Sequence, residues 1–493
     1  MWGWLKRVRT LQAENTRLRE RNDWLTKRVA ELEAAQTALH TENQQLKEQL
    51  AAAQKTSRTS SKPPSSDLVK PPAQGRRKGR RRSGGQKGHP PHLRPVFAPD
   101  QVDAYQTHRL TRCPVDPAHR LIPVPGVQNT LQQVELVARP FVITEQVAEG
   151  AWCADCHQYH YAPFPESVRQ AGLFGPRLTS LVCFLKAKLH GSYSGLQAFC
   201  AEVLGLAVSR GYLAKLLQKG ARAFAEPCAA LERLLPQQAC LNIDETGHKE
   251  NGQRFWTWCF RATGFVVFKI CASRGADVLQ EVLGADFAGI LGADFWGAYR
   301  KYARQCGALI QFCMAHLVRE VKYLCEFPDP TVQRYGRALL AGLTALFTTL
   351  HRRAELAAPT VARRLAEAQA QIQDAALAPQ AHPERYGPGP VHRLIANLAD
   401  RFARHGEGYF RFITCPGVEP TNNSAEQALR FVVMDRHITQ GTRSLRGREC
   451  CERIWTVMAT CTLQKRSAFE WMCQAISAYI EGRPAPSLLL NSS

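Results

Sequence analysis

The chain has 493 residues, with 64 Lys and Arg against 42 Asp and Glu and a formal net charge of +22. That length holds several folding units including a sizeable core, and the cationic excess points to a polyanionic partner. No run approaches the roughly 20 apolar residues that span a bilayer, which excludes a membrane span.

The opening Met1-Trp-Gly-Trp-Leu-Lys-Arg leads into a polar segment rather than a signal-peptide core, so a cytoplasmic, nucleoid-associated protein with no membrane partner is expected. The 17 cysteines lie scattered in apolar stretches (Cys183, Cys200, Cys240, Cys259, Cys271, Cys461), as reduced core thiols do and a disulfide framework does not.

Residues 5–54 carry Leu11, Leu18, Leu25, Leu32, Leu39 and Leu46 at seven-residue steps, with Val8, Asn15, Asn22, Val29, Gln36, Asn43 and Leu50 at the alternate seam position. A heptad seam of this length predicts a leucine-zipper coiled coil. Its seam asparagines favour a registered, parallel homo-oligomer, at least a dimer. A single solvated helix is the plainer alternative. Residues 55–98 lose all periodicity and predict a basic, flexible linker. In it Arg76, Arg77, Lys78, Arg80, Arg81 and Arg82 would either contact DNA phosphates or only keep the tether soluble.

Residues 99–165 predict a small β-rich module, with strands at Gln132–Val137 and Phe141–Glu145 divided by Pro140. Cys153-Ala-Asp-Cys156 is half of a structural Zn2+ site, and Cys113 offers a third thiolate. Asp116 stands where a fourth cysteine would fall, leaving His119, His157 or His160 to complete four ligands. Residues 166–235 read as helical, with helices at Ser194–Leu204 and Val208–Lys219 across a turn at Gly205, and with Ser209 as an N-cap. This fits a helix-turn-helix that turns Arg210 and Lys215 towards DNA, or an ordinary helical hairpin.

Residues 236–480 predict an α/β layer: strands at Ala239–Ile243, Arg254–Phe260, Phe265–Ile270, Gly289–Ala293 and Ala308–Phe312, with a helix at Ala276–Leu283. A helical insertion spans about 328–412, and 481–493 form a C-terminal tail. Asp244 ends the first strand, Asp294 follows the fourth, and Glu426 opens an amphipathic helix that turns Leu429, Phe431 and Val432 inward. Each acid has a plain structural use. Asp244 would form a turn with Thr246, Asp294 would cap a helix near Trp296, and Glu426 would complete a capping box with Asn423. Together, three carboxylates beside buried strands need compensation, and hard cations such as Mg2+ or Mn2+ supply it.

Several segments then carry a family likeness. They are the leucine seam, Ser61-Lys-Pro-Pro-Ser-Ser-Asp67, Gly84-Gly-Gln-Lys-Gly-His89, Asp244-Glu-Thr246, the Asp294 segment ending Ala298-Tyr299, Cys313-Met-Ala-His316-Leu, and Asn422-Asn-Ser-Ala-Glu426. Over nearly the whole chain they resemble the transposases of the insertion-sequence-66 family. The resemblance implies an α/β ribonuclease H-like catalytic core of the DDE type, interrupted by a helical insertion. In it Asp244, Asp294 and Glu426 are catalytic and hold two Mg2+ (or Mn2+) ions, cutting element ends and joining them to target DNA. His316 and Arg430 are expected nearby, the latter for a phosphate contact. Accessory proteins of the same element are expected partners. From the residues alone, a DNA-binding regulator with structural acids, or a metal nuclease that cuts without joining, remains an alternative.

Overall fold

The computed structural model describes residues 2–53, 96–122, 124, 130–137, 139–386 and 391–489; the cationic run at 76–82 lies outside the described residues. The chain divides into a larger unit, holding the described parts of 1–70, 164–201 and 207–493, and a smaller one, holding those of 71–163 with 202–206. No helix among the described residues is long and apolar enough to cross a membrane.

The regular structure of the smaller unit is a hairpin of β1 (Gly150–Cys153) and β2 (Gln158–Tyr161), turning at the Cys-x-x-Cys sequence. The strands expected at 132–137 and 141–145 do not form, and Val134, Leu136, Val142 and Ile143 stand 64 to 90% exposed. Alternation marks residues able to pair, but a strand persists only against a partner ladder and a covered face. Neither is present for these residues.

In the larger unit α1 (Trp2–Ala53) is one continuous helix whose seam leucines, Leu11 through Leu46, are 45 to 65% exposed. Five helices follow: α2 (Glu166–Ala171), α3 (Pro176–Lys188), α4 (Tyr193–Glu202), α5 (Arg210–Ala223) and α6 (Ala225–Leu234). Ser209 caps α5, its hydroxyl accepting from the Tyr212 amide at 3.1 Å. That helix buries Leu213, Leu216, Leu217 and Ala221, and leaves Arg210 and Lys215 exposed.

The sheet then forms in chain order: β3 (Cys240–Glu250), β4 (Gln253–Arg261), β5 (Val266–Cys271), α7 (Ala276–Leu283), β6 (Ile290–Ala293), α8 (Gly297–Cys306) and β7 (Leu309–Phe312). Its order is β5-β4-β3-β6-β7, with β3, β4 and β5 an antiparallel meander and β6 and β7 parallel to β3. Asn251-Gly252, with φ of 49° and 80°, closes the β3–β4 hairpin. Such two-residue turns need two positive φ angles, which Asn and Gly tolerate best.

Between β7 and the last helices lie α9 (Met314–Glu326), α10 (Pro330–His351), α11 (Ala358–Ala381), α12 (Arg393–His405) and α13 (Arg411–Thr414). The chain then returns to the sheet as α14 (Asn423–Thr439) and α15 (Leu445–Leu463), and ends its helical part with α16 (Ala468–Ile480). Ala425, Leu429, Val432 and Trp455 from α14 and α15 bury Cys259, Val266, Phe268 and Ile270 of β4 and β5.

The edge of β5 is covered by side chains rather than by another strand. The hydroxyl of Thr460 accepts from Val266 N and donates to Val266 O, both at 3.1 Å; Thr456 accepts from Phe268 N at 3.1 Å, and Glu452 from Ile270 N at 2.6 Å. Four residues of helix advance about 6 Å and two of strand about 6.7 Å, so every fourth residue of α15 meets every second amide of β5. The arrangement satisfies the edge donors and blocks pairing with another chain.

Candidate active site

Alternation along β3 decides which side chains face α14. Asn242 Nδ2 donates to Asn422 Oδ1 at 3.1 Å, and Thr246 Oγ1 accepts from Arg436 Nη1 at 3.1 Å. Asp244 lies between them on the same face. Glu245 faces the other way, accepting from Arg274 Nε at 2.7 Å and from the Tyr299 hydroxyl. The Arg274 guanidinium lies 4.7 Å from the ring centre of Trp256 and 4.3 Å from that of Trp296.

Asp244 sits mid-strand, which overturns its reading as a turn residue. The parallel ladder pairs Asn242 with Gly292, and two residues further along each strand stand Asp244 and Asp294. There β6 has ended at Ala293 while β3 runs on to Glu250. A Cβ on Gly292 would lie 2.9 Å from Asn242 Nδ2, so a side chain there would crowd this register. Asp294 Oδ1 accepts from Trp296 N at 2.8 Å, but the N-cap of α8 is Trp296 itself, so Asp294 makes a local turn rather than a cap.

The third acid is held by a clamp. Asn422, 1% exposed, donates from Nδ2 to Ile243 O at 2.7 Å, while its amide donates to Cys313 Sγ at 3.1 Å. These bonds pin the start of α14 to β3 and to the end of β7. The anticipated capping box is absent: the N-cap is Asn422, without a side-chain cap bond. Glu426 turns instead towards α9, where Oε1 lies 3.6 Å from both His316 Nδ1 and Arg319 Nη2. Glu426 Oε1 and His316 Nδ1 are buried without a hydrogen-bond partner. Ligand atoms of Cys313, His316 and Glu426 all lie within 4.8 Å of one another.

Burial pushes Asp244 well above the ordinary carboxylate range, and the charges of Glu245, Glu426 and Asp294 push it further. Asp294 is raised by burial, with the Trp296 amide and Arg274 opposing. Burial and the Arg319 charge push His316 down to about 4, so it is neutral near pH 7. Oxygen donors from three elements, with Asp244 raised by burial and by the charges of the other two, and with Glu426 Oε1 buried without a partner, are a donor set suited to a hard divalent cation.

The sequence alone names Cys313 and Asn422 only as parts of the family motifs, gives His316 no role, and does not single out Arg319. The Cys-x-x-His-x-x-Arg spacing after a strand was the available signal, since i,i+3 spacing puts His316 and Arg319 on one face of α9. Arg430 is exposed on α14. In the smaller unit Cys153, Cys156 and His160 cluster within 4.8 Å, with Cys156 Sγ 2.9 Å from His160 Nε2. Cys113 Sγ lies 3.7 Å from His119 Nδ1. The Cys156 amide and thiol lower the Cys153 thiol, and the amides of Asp116 and Val115 lower that of Cys113, which favours the thiolates that metal binding requires.

A mixed α/β domain carrying such an acid cluster fits an enzyme that processes nucleic acid. Residues 171–449, more than half of the chain, match the model of the transposase IS66 family, and the chain belongs to that family. A transposase role, acting on DNA, follows from this membership. Residues 6–95 match a second model, described as a family of unknown function. An uncharacterized protein of Sinorhizobium fredii, y4hP, is 24% identical over 378 residues, covering 71% of this chain and 67% of its own length.

Proposed function

We propose that Asp244, Asp294 and Glu426 form the two-metal site of a DDE transposase with a ribonuclease H-like core, which cleaves the ends of its element and joins them to target DNA. This reading is carried by Asp244, half-buried on β3 and raised by burial and by the charges of both Glu426 and Asp294. The antiparallel meander followed by two parallel strands supports the ribonuclease H-like assignment.

Asp244, Asp294 and Glu426 would together hold two Mg2+ or Mn2+ ions. When bound, such ions lower the pKa of the attacking hydroxyl and neutralise the leaving oxygen. The chain supplies position. Asn422 ties Glu426 to β3, and the Trp296 amide orients Asp294. The Arg274 and Tyr299 bonds keep Glu245 on the opposite face. In cleavage, a water oxygen bonds to phosphorus, the P–O3′ bond breaks, and the element keeps a 3′-hydroxyl. In joining, that hydroxyl loses its proton and bonds to a target phosphorus, and the target's departing 3′-oxygen takes up a proton.

The exposed leucine seam of α1 supports a parallel coiled coil that makes at least a dimer. A structural zinc would be held by Cys153, Cys156 and His160, with Cys113 and His119 as further donors. Arg210, Lys215 and Arg430 are exposed and available to DNA, and the sequence of the cationic run at 76–82 suits further phosphate contacts. Asp244→Asn, Asp294→Asn or Glu426→Gln should each lower cleavage at least about a hundredfold while DNA binding persists. Undiminished cleavage by Asp244→Asn would refute the assignment. A pre-cut element end separates the alternatives, because a nuclease without joining activity yields no strand-transfer product.

A further inference from the structure

A second cluster of charge, opposite in sign, lies beside the acids. A cleft of about 470 Å3 is lined by Arg300 and Arg304 of α8, Phe312 of β7, Arg404 and His405 at the end of α12, and Arg411 of α13. Arg300 and Arg304, one helical turn apart, form no ion pair among the described residues. Arg404 lies 3.7 Å from Asp400, with both side chains more than half exposed, and Arg411 is 3.9 Å from Glu407, whose side chain is 89% exposed. Nε of Arg300 and Nε of Arg411 are buried without a hydrogen-bond partner. The neighbouring Arg401, by contrast, is fully neutralised, with Nη1 and Nη2 on Glu320 at 2.6 and 2.8 Å. The fold therefore supplies a close two-point carboxylate to Arg401, only longer and more exposed ones to Arg404 and Arg411, and none among the described residues to Arg300 and Arg304.

The cleft adjoins the candidate active site through one residue. Phe295 directly follows Asp294, and its ring lies 4.2 Å from the Arg300 guanidinium, 4.5 Å from that of Arg401, and 4.8 and 5.6 Å from the rings of Phe312 and His405. Burial and the charges of Arg300, Arg304 and Arg404 lower His405. Positive charge thus accumulates around the ring of the residue that follows Asp294. Forked guanidinium donors without a close carboxylate partner suit the paired oxygens of a phosphodiester.

We propose that the cleft formed by Arg300, Arg304, Arg404, His405 and Arg411 binds the phosphodiester backbone of the DNA strand next to the reacting bond. The proposal rests on the transposase reading for its ligand, but not on the metal chemistry. Its contacts go to phosphates, so they position the strand and carry no base preference.

The test is the affinity of the full chain for a fluorescein-labelled 30-base-pair duplex of arbitrary sequence, measured across a series of salt concentrations. Arg304→Glu with Arg404→Glu changes two exposed residues, and an unchanged melting temperature certifies the fold. Arg300→Lys is the second variant, keeping the charge and removing the fork. The double variant should lose at least about tenfold in affinity, with the slope of log affinity against log salt falling by about two, one for each lost phosphate contact. Arg300→Lys should keep the slope and lose affinity less. Unchanged affinity and slope in the double variant would overturn the proposal, as would calorimetry showing that inorganic phosphate binds the wild type but not the double variant while duplex affinity stays the same. Failure of the wild type to cleave, with the duplex effects intact, would remove the transposase reading and leave the cleft standing. Intact cleavage with unchanged binding would do the reverse.

Discussion

Replacing Glu452 by glutamine removes the one ionisable group from the clamp that α15 places on β5. The carboxylate accepts from the Ile270 amide at 2.6 Å. Burial pushes it from the ordinary 4.5 up to about 7, against the opposing influence of Lys269, the Ile270 amide and Arg448. The folded chain thus holds this proton more tightly than the unfolded chain. The associated stability is complete below pH 4.5 and is lost as pH rises through 7. At about 1.4 kcal/mol per pH unit the loss is about 3 kcal/mol, or about 2 kcal/mol after allowing for partial exposure. Glutamine keeps an oxygen for Ile270 N and carries no charge, while Lys269 retains Glu232 at 3.3 Å. Urea unfolding of both proteins should therefore coincide near pH 4.5 and separate by about 2 kcal/mol near pH 8, with Glu452→Gln the more stable. Hydrogen exchange at the β5 amides should slow in the variant at pH 8. Every other titrating group is common to the pair, so a gap independent of pH, or a less stable variant at pH 8, would refute the reasoning.

Asn422→Ala removes the side-chain acceptor of buried Asn242, leaving it the Thr421 carbonyl at 3.5 Å, and the side-chain donor to the Ile243 carbonyl. It should cost about 2–4 kcal/mol by thermal unfolding and depress cleavage even where the protein is folded; wild-type cleavage would deny the clamp its role in placing Glu426. Cys153→Ser or His160→Ala should release zinc measured by atomic emission from the purified chain, and full zinc retention in both would remove those two as ligands. Replacing Leu18, Leu25 and Leu32 with alanine should shift sedimentation towards a smaller species, and an unchanged profile would argue against the seam as the contact.

Much of the sheet was legible because burial imposes a period on the sequence. The apolar runs at 254–260, 265–270, 289–293 and 308–312 lie within a residue or two of β4, β5, β6 and β7, and the helix at Ala276–Leu283 coincides with α7. The second half of β3 was not legible. Glu245, Thr246, Gly247, His248 and Lys249 are polar or lack a side chain, yet pairing with β4 carries the strand to Glu250, and partners distant in sequence satisfy its polar groups. The reverse error arose at 132–145, where strand-like residues meet no ladder.

Legible in the residues alone is chemical identity in local frames: a heptad seam, a cationic surplus, acids at the ends of apolar runs, and a cysteine pair at metal-binding spacing. Those follow from residue type and short-range periodicity, which need no long-range contact. Which groups meet depends on the fold. The β3–β6 register sets Asp244 and Asp294 at matching positions on neighbouring strands, and the Asn422 clamp fixes to β3 the start of the helix that carries Glu426. Packing hands Glu320 to Arg401 while leaving Arg300 and Arg304 without a carboxylate. A charge acts through its distance to other charges and its access to water, and both are properties of the folded chain.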